Sequence, residues 1–502
     1  MELNSSAIRK VIMASSMGTL IEWYDFYIFG SLAPLIAAQF FPSSNPTAAL
    51  LSTLATFAAG FIVRPFGALV FGRLGDIVGR KYTFLLTLIL MGGATFAIGL
   101  VPSFSKIGYL APILVLLLRL IQGLALGGEY GGAATYVAEH SPANKRGYFT
   151  SWIQTTATLG LFVSLGVILL TRKSLGVDTF NDWGWRVPFW VSIVLVGVSI
   201  YVRLKMSESP LFSKMKAEGK TSANPLKESF GKKQHLKMVL LALFGATMGQ
   251  GVVWYTGQFY AQSFIENVCK VEFEQSRTIL IWAIVFATPG FVLFGGLSDK
   301  IGRKWIMLTG MLLAIVSYRF LFSCLLEISN EKNKIEIVDS KKIESISYAV
   351  KDSKDFVRVI KTTHYYDDGT TITKAVRDSS EIATLNLKSP VPLTTVKTLG
   401  TSSYWKMVFI VFMMIAYVTM VYGPIAAFLV EMFPTRIRYT SMSLPYHIGN
   451  GVFGGLTPFI ATLLTTIYTN DKLAGLWYPI IIATVCLVIG SVYITNKKIA
   501  TD

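Results

Sequence analysis

Charge and sulfur are both scarce in this sequence. Only 15% of its 502 residues are Asp, Glu, Lys or Arg, where a soluble domain carries roughly 25%. Apolar residues make up 52%, and the mean hydropathy is +0.53. Such a balance excludes an ordinary soluble domain and reads as a membrane protein. The three cysteines, Cys269, Cys324 and Cys486, show no metal-ligand spacing and define no disulfide framework. The chain also lacks a nucleotide-binding loop, a metal cluster and a nucleophile–base constellation. It is therefore read as a non-enzyme that takes no cofactor and no metal. A cleavable signal pattern is lacking too. The first apolar stretch is too long and carries acids, so it is expected to be retained.

Acids are fewer than bases, 29 against 46, and the net charge is +17. Nucleic acid is not the implied partner, because the bases sit in short loops beside apolar stretches. Twelve stretches come near the ~20 residues a bilayer requires, with cores at 12–34, 49–71, 82–101, 110–137, 148–170, 187–204, 237–264, 278–297, 305–326, 405–430, 441–467 and 474–495. Cations flank 72–81, 143–147, 205–237, 299–304, 436–438 and 497–498. The alternate loops are poorer: 38–48 has no base, and 102–108 has only Lys106. The positive-inside rule then places both termini and the basic loops in the cytoplasm.

One charged turn occurs twice. Gly72–Lys81 reads GRLGDIVGRK and Gly295–Lys304 reads GGLSDKIGRK, so Gly72/Gly295, Asp76/Asp299 and Arg80/Arg303 align at one offset of 223. A second landmark also repeats. EHSPANKRG (Glu139–Gly147) and EMFPTRIRY (Glu431–Tyr439) align Glu139/Glu431 and Arg146/Arg438 at an offset of 292. The second half thus carries about 69 extra residues, visible as the polar segment from Glu327 to about Lys397. With 12 bases and 11 acids, this segment has almost no net charge. Within it, FVRVIKTTHYY-DDG-TTITKAVRD alternates β-branched and polar residues about a turn and reads as a hairpin. The segment is either a small folded cap or a mobile loop. The landmarks divide the chain into a first six-helix bundle (1–204), a basic central loop (205–236) and a second six-helix bundle (237–497). The second bundle is interrupted by an extracytoplasmic insertion at 327–403. Within the central loop, Lys205–Lys216 has the composition of an amphipathic surface helix.

Ionisable groups inside apolar spans mark function, since a charge at the bilayer centre costs at least ~2.5–3.5 kcal/mol. Glu22 and Asp25 share one face of the first span. Arg64 lies in the second, followed by Pro65, which removes a backbone donor and predicts a kink. Arg64 either pairs with Asp25 or grips a substrate carboxylate in a bidentate fork. The fourth span carries Arg119 and then Glu129, among the packing glycines Gly123, Gly127, Gly128, Gly131 and Gly132. Asp25 and Glu129 are the leading proton carriers, with Glu22 beside them. In the seventh span Gln250, Trp254 and Gln258 recur at every fourth residue with Tyr255 nearby, a polar–aromatic stripe suited to a substrate cavity. The eleventh offers Tyr446, His447 and Asn450.

Taken with the twelve spans, the two GxLxDxxGRK turns resemble the major facilitator superfamily. EWYDF (Glu22–Phe26), RPFGALVFGRLGD (Arg64–Asp76), QGLALGGEYGGA (Gln122–Ala133), EHSPANKRG and SESPLF (Ser207–Phe212) are similar to the metabolite:proton symporter family. The resemblance covers nearly the whole chain except about 327–400. It implies an all-α membrane protein, two pseudo-symmetric bundles rocking about a central site, and a small organic acid or zwitterion moved with a proton. Arg64, Arg119 and the seventh-span stripe would then line the substrate site. The repeated turns would form inner latches, with Asp76 meeting a helix end or a base and Arg80 pairing with Glu139. Gly72, Arg146, Asp299, Arg303, Glu431 and Arg438 belong to the same gating set. An exporter or uncoupled facilitator of this fold is the alternative, and a solute receptor using the insertion is a third reading. The expected partners are substrate, protons and the lipid bilayer of an inner membrane, with the protein acting as a monomer.

Overall fold

A computed structural model of the chain describes residues 16, 19–20, 23–25, 27–41, 46–78, 80–128, 130, 134–135, 137–138, 141–204, 225–349, 356–377, 392–434 and 437–495, without the side chains of 46, 72–84, 199, 202–204, 225, 339, 345–349, 356–359, 377, 392–394 and 439. In lipid a backbone must satisfy its own hydrogen bonds, and helices do this within one segment. The first half accordingly runs through α1 (Ala33–Phe40), α2 (Pro46–Ile62), α3 (Arg64–Val78), α4 (Arg80–Ile98), α5 (Leu110–Leu126), α6 (Arg146–Leu175) and α7 (Val187–Leu204). The second runs through α8 (Lys233–Ala242), α9 (Met248–Tyr255), α10 (Ala261–Asn267), α11 (Phe273–Ala287), α12 (Pro289–Ile301) and α13 (Arg303–Ser329). It ends with α14 (Thr401–Tyr422), α15 (Ile425–Met432), α16 (Arg438–His447), α17 (Thr457–Ile467) and α18 (Trp477–Tyr493). Among the described residues, eight helical segments are long and apolar enough to cross a membrane, and three shorter apolar helices accompany them. The first expected span lies partly outside the described residues, and Lys205–Lys216 lies wholly outside them.

The predicted kink is present: α2 stops at Ile62 and α3 restarts at Arg64, with Pro65 in its first turn. The fourth-span glycines are contact residues. A Cβ on Gly127 would enter the backbone at Arg64 and Ala68, and one on Gly123 would enter the backbone of Gly60. Two single-turn π segments, Leu243–Thr247 and Thr256–Tyr260, flank α9, and a third, Ile448–Gly454, follows α16. Such bulges are rare and frequent at functional sites. The end of the expected central loop is helical rather than irregular, over Pro225–Gly231 and then α8. Its Ser229 is buried and bonds Ser441 at 2.9 Å, which packs this segment against α16.

Contacts divide the described residues into two compact units. One comprises 1–260, 284–318 and 414–502, and the other 261–283 and 319–413. The second contains the insertion. There α13 runs on to Ser329, two residues past Glu327, and four antiparallel strands follow in the order β1 (Lys342–Ala349), β2 (Phe356–Tyr365), β3 (Thr371–Arg377) and β4 (Pro392–Thr398). The predicted hairpin is β2 and β3, paired Tyr365 to Thr371 through Val359 to Arg377.

Candidate functional site

The residues after the first-span acid build an aromatic layer. Trp23 and Tyr27, one turn apart, stack at 4.9 Å. Trp254 of α9 lies 5.5 Å from Tyr27 and 6.3 Å from Trp23. Phe61 of α2 meets Tyr255 edge-on at 5.1 Å. The Arg64 guanidinium lies 4.0 Å from the Phe61 ring and 5.2 Å from the Trp23 ring. It is 1% exposed, so the cation–π contacts act in a desolvated setting where each is worth about 2 kcal/mol. First-half and second-half helices therefore meet through rings around one buried guanidinium.

Polar groups in this layer divide into the satisfied and the unsatisfied. Gln250 and Asn450 exchange amide hydrogen bonds at 3.0 and 2.8 Å, which ties α9 to the bulge after α16. Tyr422 and Tyr446 share a 2.8 Å hydroxyl bond. Tyr446 stacks on Tyr130 at 3.5 Å, and Gln154 donates to the Tyr130 hydroxyl at 2.7 Å. By contrast, Trp254 Nε1, both ends of the Gln258 amide and both His447 ring nitrogens are buried without a hydrogen-bond partner among the described residues. Buried polar atoms are nearly always paired, so these groups are candidates to meet a bound molecule.

Asp25 faces elsewhere. It is fully buried, and its Oδ2 lies 3.4 Å from where a Cβ on Gly92 of α4 would stand. Among the described residues, neither carboxylate oxygen has a hydrogen-bond partner and no ion pair joins it to Arg64. Of the two readings of Arg64, internal pairing with Asp25 is thus not realised. Gln122 donates to the Asp25 carbonyl at 3.0 Å and to Thr95 at 2.7 Å. Arg119 donates to Gln122 and, at 3.2 Å, to the Phe57 carbonyl. It also lies over Phe29 and Phe57 at 4.6 and 5.0 Å. Arg119 therefore ties the first-half helices together, and the Phe57 ring it covers lies 5.0 Å from Phe61 of the cluster around Arg64. Glu22 and Glu129 lie outside the described residues.

The second copy of the repeated turn makes well-defined contacts. Asp299 accepts from the backbone N–H groups of Gly147 and Tyr148, both at 2.9 Å, at the first turn of α6. Free N–H groups and the helix dipole both favour an anion there. Arg303 holds Asp299 at 2.6 Å and Glu431 at 3.0 Å, and Arg146 approaches Glu431 at 3.7 Å. Arg438 turns back on the Phe433 carbonyl at 3.1 Å. The helices meet closely: a Cβ on Gly295 would lie 2.6 Å from Ser151 Oγ and 2.8 Å from the Gly147 carbonyl. Gly72 falls within α3, while the side chains of Asp76 and Arg80 and all of Glu139 lie outside the described residues. The expected Arg80–Glu139 pair is therefore not described, but its repeat counterpart, Arg303–Glu431, is formed.

Sequence reasoning passed over Trp23, Tyr27, Tyr130 and Tyr422. A signal was present in the first, since WYDFY places two rings one turn apart beside an acid. Rings in membrane helices also form interfacial belts, and spacing alone does not separate the two roles.

Comparison with known proteins agrees with this geometry. The model of the sugar (and other) transporter family matches residues 10–340. An inner membrane metabolite transport protein of Escherichia coli, YhjE, is 32% identical over 464 residues, covering 91% of this chain and 88% of its own length. A proline/betaine transporter of Salmonella typhimurium is 34% identical over 317 residues, 61% of this chain and 63% of its own. Among solved structures, the proton:xylose symporter XylE, a major facilitator superfamily protein, superposes with a TM-score of 0.67 over 97% of this chain and 95% of its own, at 15% identity. That likeness shows the fold. The chain belongs to the sugar (and other) transporter family of the major facilitator superfamily, and it is a membrane transporter rather than an enzyme.

Proposed function

We propose that this transporter imports a small organic acid or zwitterionic metabolite together with a proton, by alternating access. The observation that carries the reading is the buried guanidinium of Arg64 against the Phe61 and Trp23 rings, with Trp254 by Trp23 and Gln258 one turn on, both polar groups lacking a hydrogen-bond partner among the described residues. A substrate carboxylate suits the guanidinium fork, and a substrate ammonium suits the ring faces. Tyr255, stacked edge-on against Phe61, shapes the same pocket. Gln250 and Arg119 position its walls.

Asp25, with Glu22 and Glu129, carries the proton. Its carboxylate sits in a dry part of the first-half helices, where protonation state decides how comfortably it is buried. Asp299, Arg303, Glu431 and Arg146 close the cytoplasmic side, and their separation opens it. Both termini lie in the cytoplasm, the site is that of an inner-membrane protein, and the working unit is a monomer.

The test is uptake into proteoliposomes of labelled glycine betaine, proline and 2-oxoglutarate, with and without an inward pH gradient. One of the three should accumulate only with the gradient. Asp25→Asn should lose gradient-driven accumulation by at least tenfold while retaining substrate exchange. Accumulation that ignores the gradient, with Asp25→Asn normal, would remove the coupling role.

A further inference from the structure

The unit formed by 261–283 and 319–413 contains the ends of α10, α11, α13 and α14. Each end is held by the insertion. The free edge of β4 is covered by the turn between α10 and α11: Lys397 N donates to the Lys270 carbonyl at 2.8 Å, and Glu272 N to the Lys397 carbonyl at 2.9 Å. Lys270 adopts φ 63°, and it is the single non-glycine residue with positive φ among the described residues. An L-residue in the left-handed region is strained, and its carbonyl is the acceptor for β4.

One helical residue extends this edge. The Gln275 amide of α11 donates to the Leu399 carbonyl at 3.0 Å and accepts from Leu399 N at 2.7 Å, acting as a strand partner. The Lys397 ammonium donates to the Ser329 carbonyl at 2.6 Å, where the end of α13 presents negative partial charge. The hairpin turn between β2 and β3 secures α14. Asp368 pairs with Lys334 and accepts from Ser403 of the first turn of α14 at 2.8 Å. Gly400 N donates to Thr370 at 3.2 Å, and Gly400 abuts the Asp368 carbonyl so closely that no side chain fits. Arg277, fully buried, joins α11 to α10 through Glu266 at 3.1 Å.

The geometry points to the insertion as a brace: it binds the ends of α10, α11, α13 and α14 into one body that opens and closes as a single cooperative unit. Surface decoration would touch its two anchoring helices, α13 and α14. This one also grips a turn and a helix start more than a hundred residues earlier in the chain, at Lys270–Glu272 and Gln275. No one of the four ends can separate from the others without breaking hydrogen bonds or ion pairs made by this unit.

Amide hydrogen exchange on the full chain in nanodiscs tests this without any substrate. In the double variant Gln275→Ala with Asp368→Asn, exchange over 268–283, 319–335 and 401–408 should accelerate together by tenfold or more, with α6 unchanged. Acceleration confined to 392–400 would overturn the brace. A staple supplies the reverse experiment: Val271→Cys with Lys397→Cys, in a background carrying Cys269→Ala and Cys324→Ala. On oxidation all four helix ends should slow together, and reductant should restore them. Slowing limited to 270–272 and 395–398 would equally overturn the proposal, even if the double variant loosened the whole chain.

Discussion

At Arg64, charge and shape are separable. The guanidinium carbon lies over Phe61 and Trp23, 4.0 and 5.2 Å from their ring centroids. Lysine keeps the charge but loses both the planar stacking and the fork. Arg64→Lys should therefore raise the KM for uptake by tenfold or more while changing kcat less, as measured in proteoliposomes. Gly295 is a second residue whose role is steric. A Cβ there would lie 2.6 Å from Ser151 Oγ, and forced overpacking costs about 1–3 kcal/mol. Gly295→Ala should lower the apparent melting temperature of the purified protein, whereas Gly197→Ala, a position with nothing within 4 Å of the added carbon, should not. The residue level was partly legible. Arg64 and Asp25 stood out because ionisable groups inside apolar spans are costly, yet their separation was not legible. It depends on which way each side chain leaves its helix. Gln250 is expected in the cavity, and the partner of its amide, Asn450, 200 residues away, is one that spacing does not name.

Among the elements, the turn between β2 and β3 has its own pH dependence. Burial alone would raise the Asp368 carboxyl, but the Lys334 ammonium, the Thr370 hydroxyl and backbone N–H, and the Ser403 hydroxyl hold it below its ordinary 3.8. A carboxyl depressed in the folded chain contributes stability above its unfolded pKa, and that contribution is lost as pH falls through the folded value. The turn should thus stay seated on α14 from neutral pH down to about 4 and loosen below it. Amide exchange at Thr370 and Gly400, corrected for intrinsic rates, checks this, and Asp368→Asn should abolish the acid transition. The hairpin itself was readable from two-residue alternation. The capture of β4 by Lys270–Glu272 was not, because nothing local in PLTTVKT names a partner more than a hundred residues earlier. The helical start at Pro225 was also missed, since short polar helices packed on one side lack a full apolar stripe.

Across the whole molecule, the repeat leads to the expectation of a latch, and its second copy sets Asp299 on the first turn of α6, backed by Arg303 and Glu431. Removing its charge should favour separation of α6 from α12. Asp299→Asn is expected to raise maleimide labelling of a Ser151→Cys reporter by about fivefold or more, an effect of about 1 kcal/mol, in a background free of the native cysteines. Unchanged labelling would deny the latch its part in closure. The span order and the duplicated turn were legible because hydropathy and motif spacing are properties of the chain alone. The central ring cluster was not, because it exists only where two distant halves meet. The contact between Gly147 and Gly295 then has a consequence for substitution. A β-carbon on Gly147 would stand 2.5 Å from the Gly295 carbonyl, and one on Gly295 would stand 2.8 Å from the Gly147 carbonyl. A side chain at either position must push α6 and α12 apart, so both glycines answer to one helix spacing.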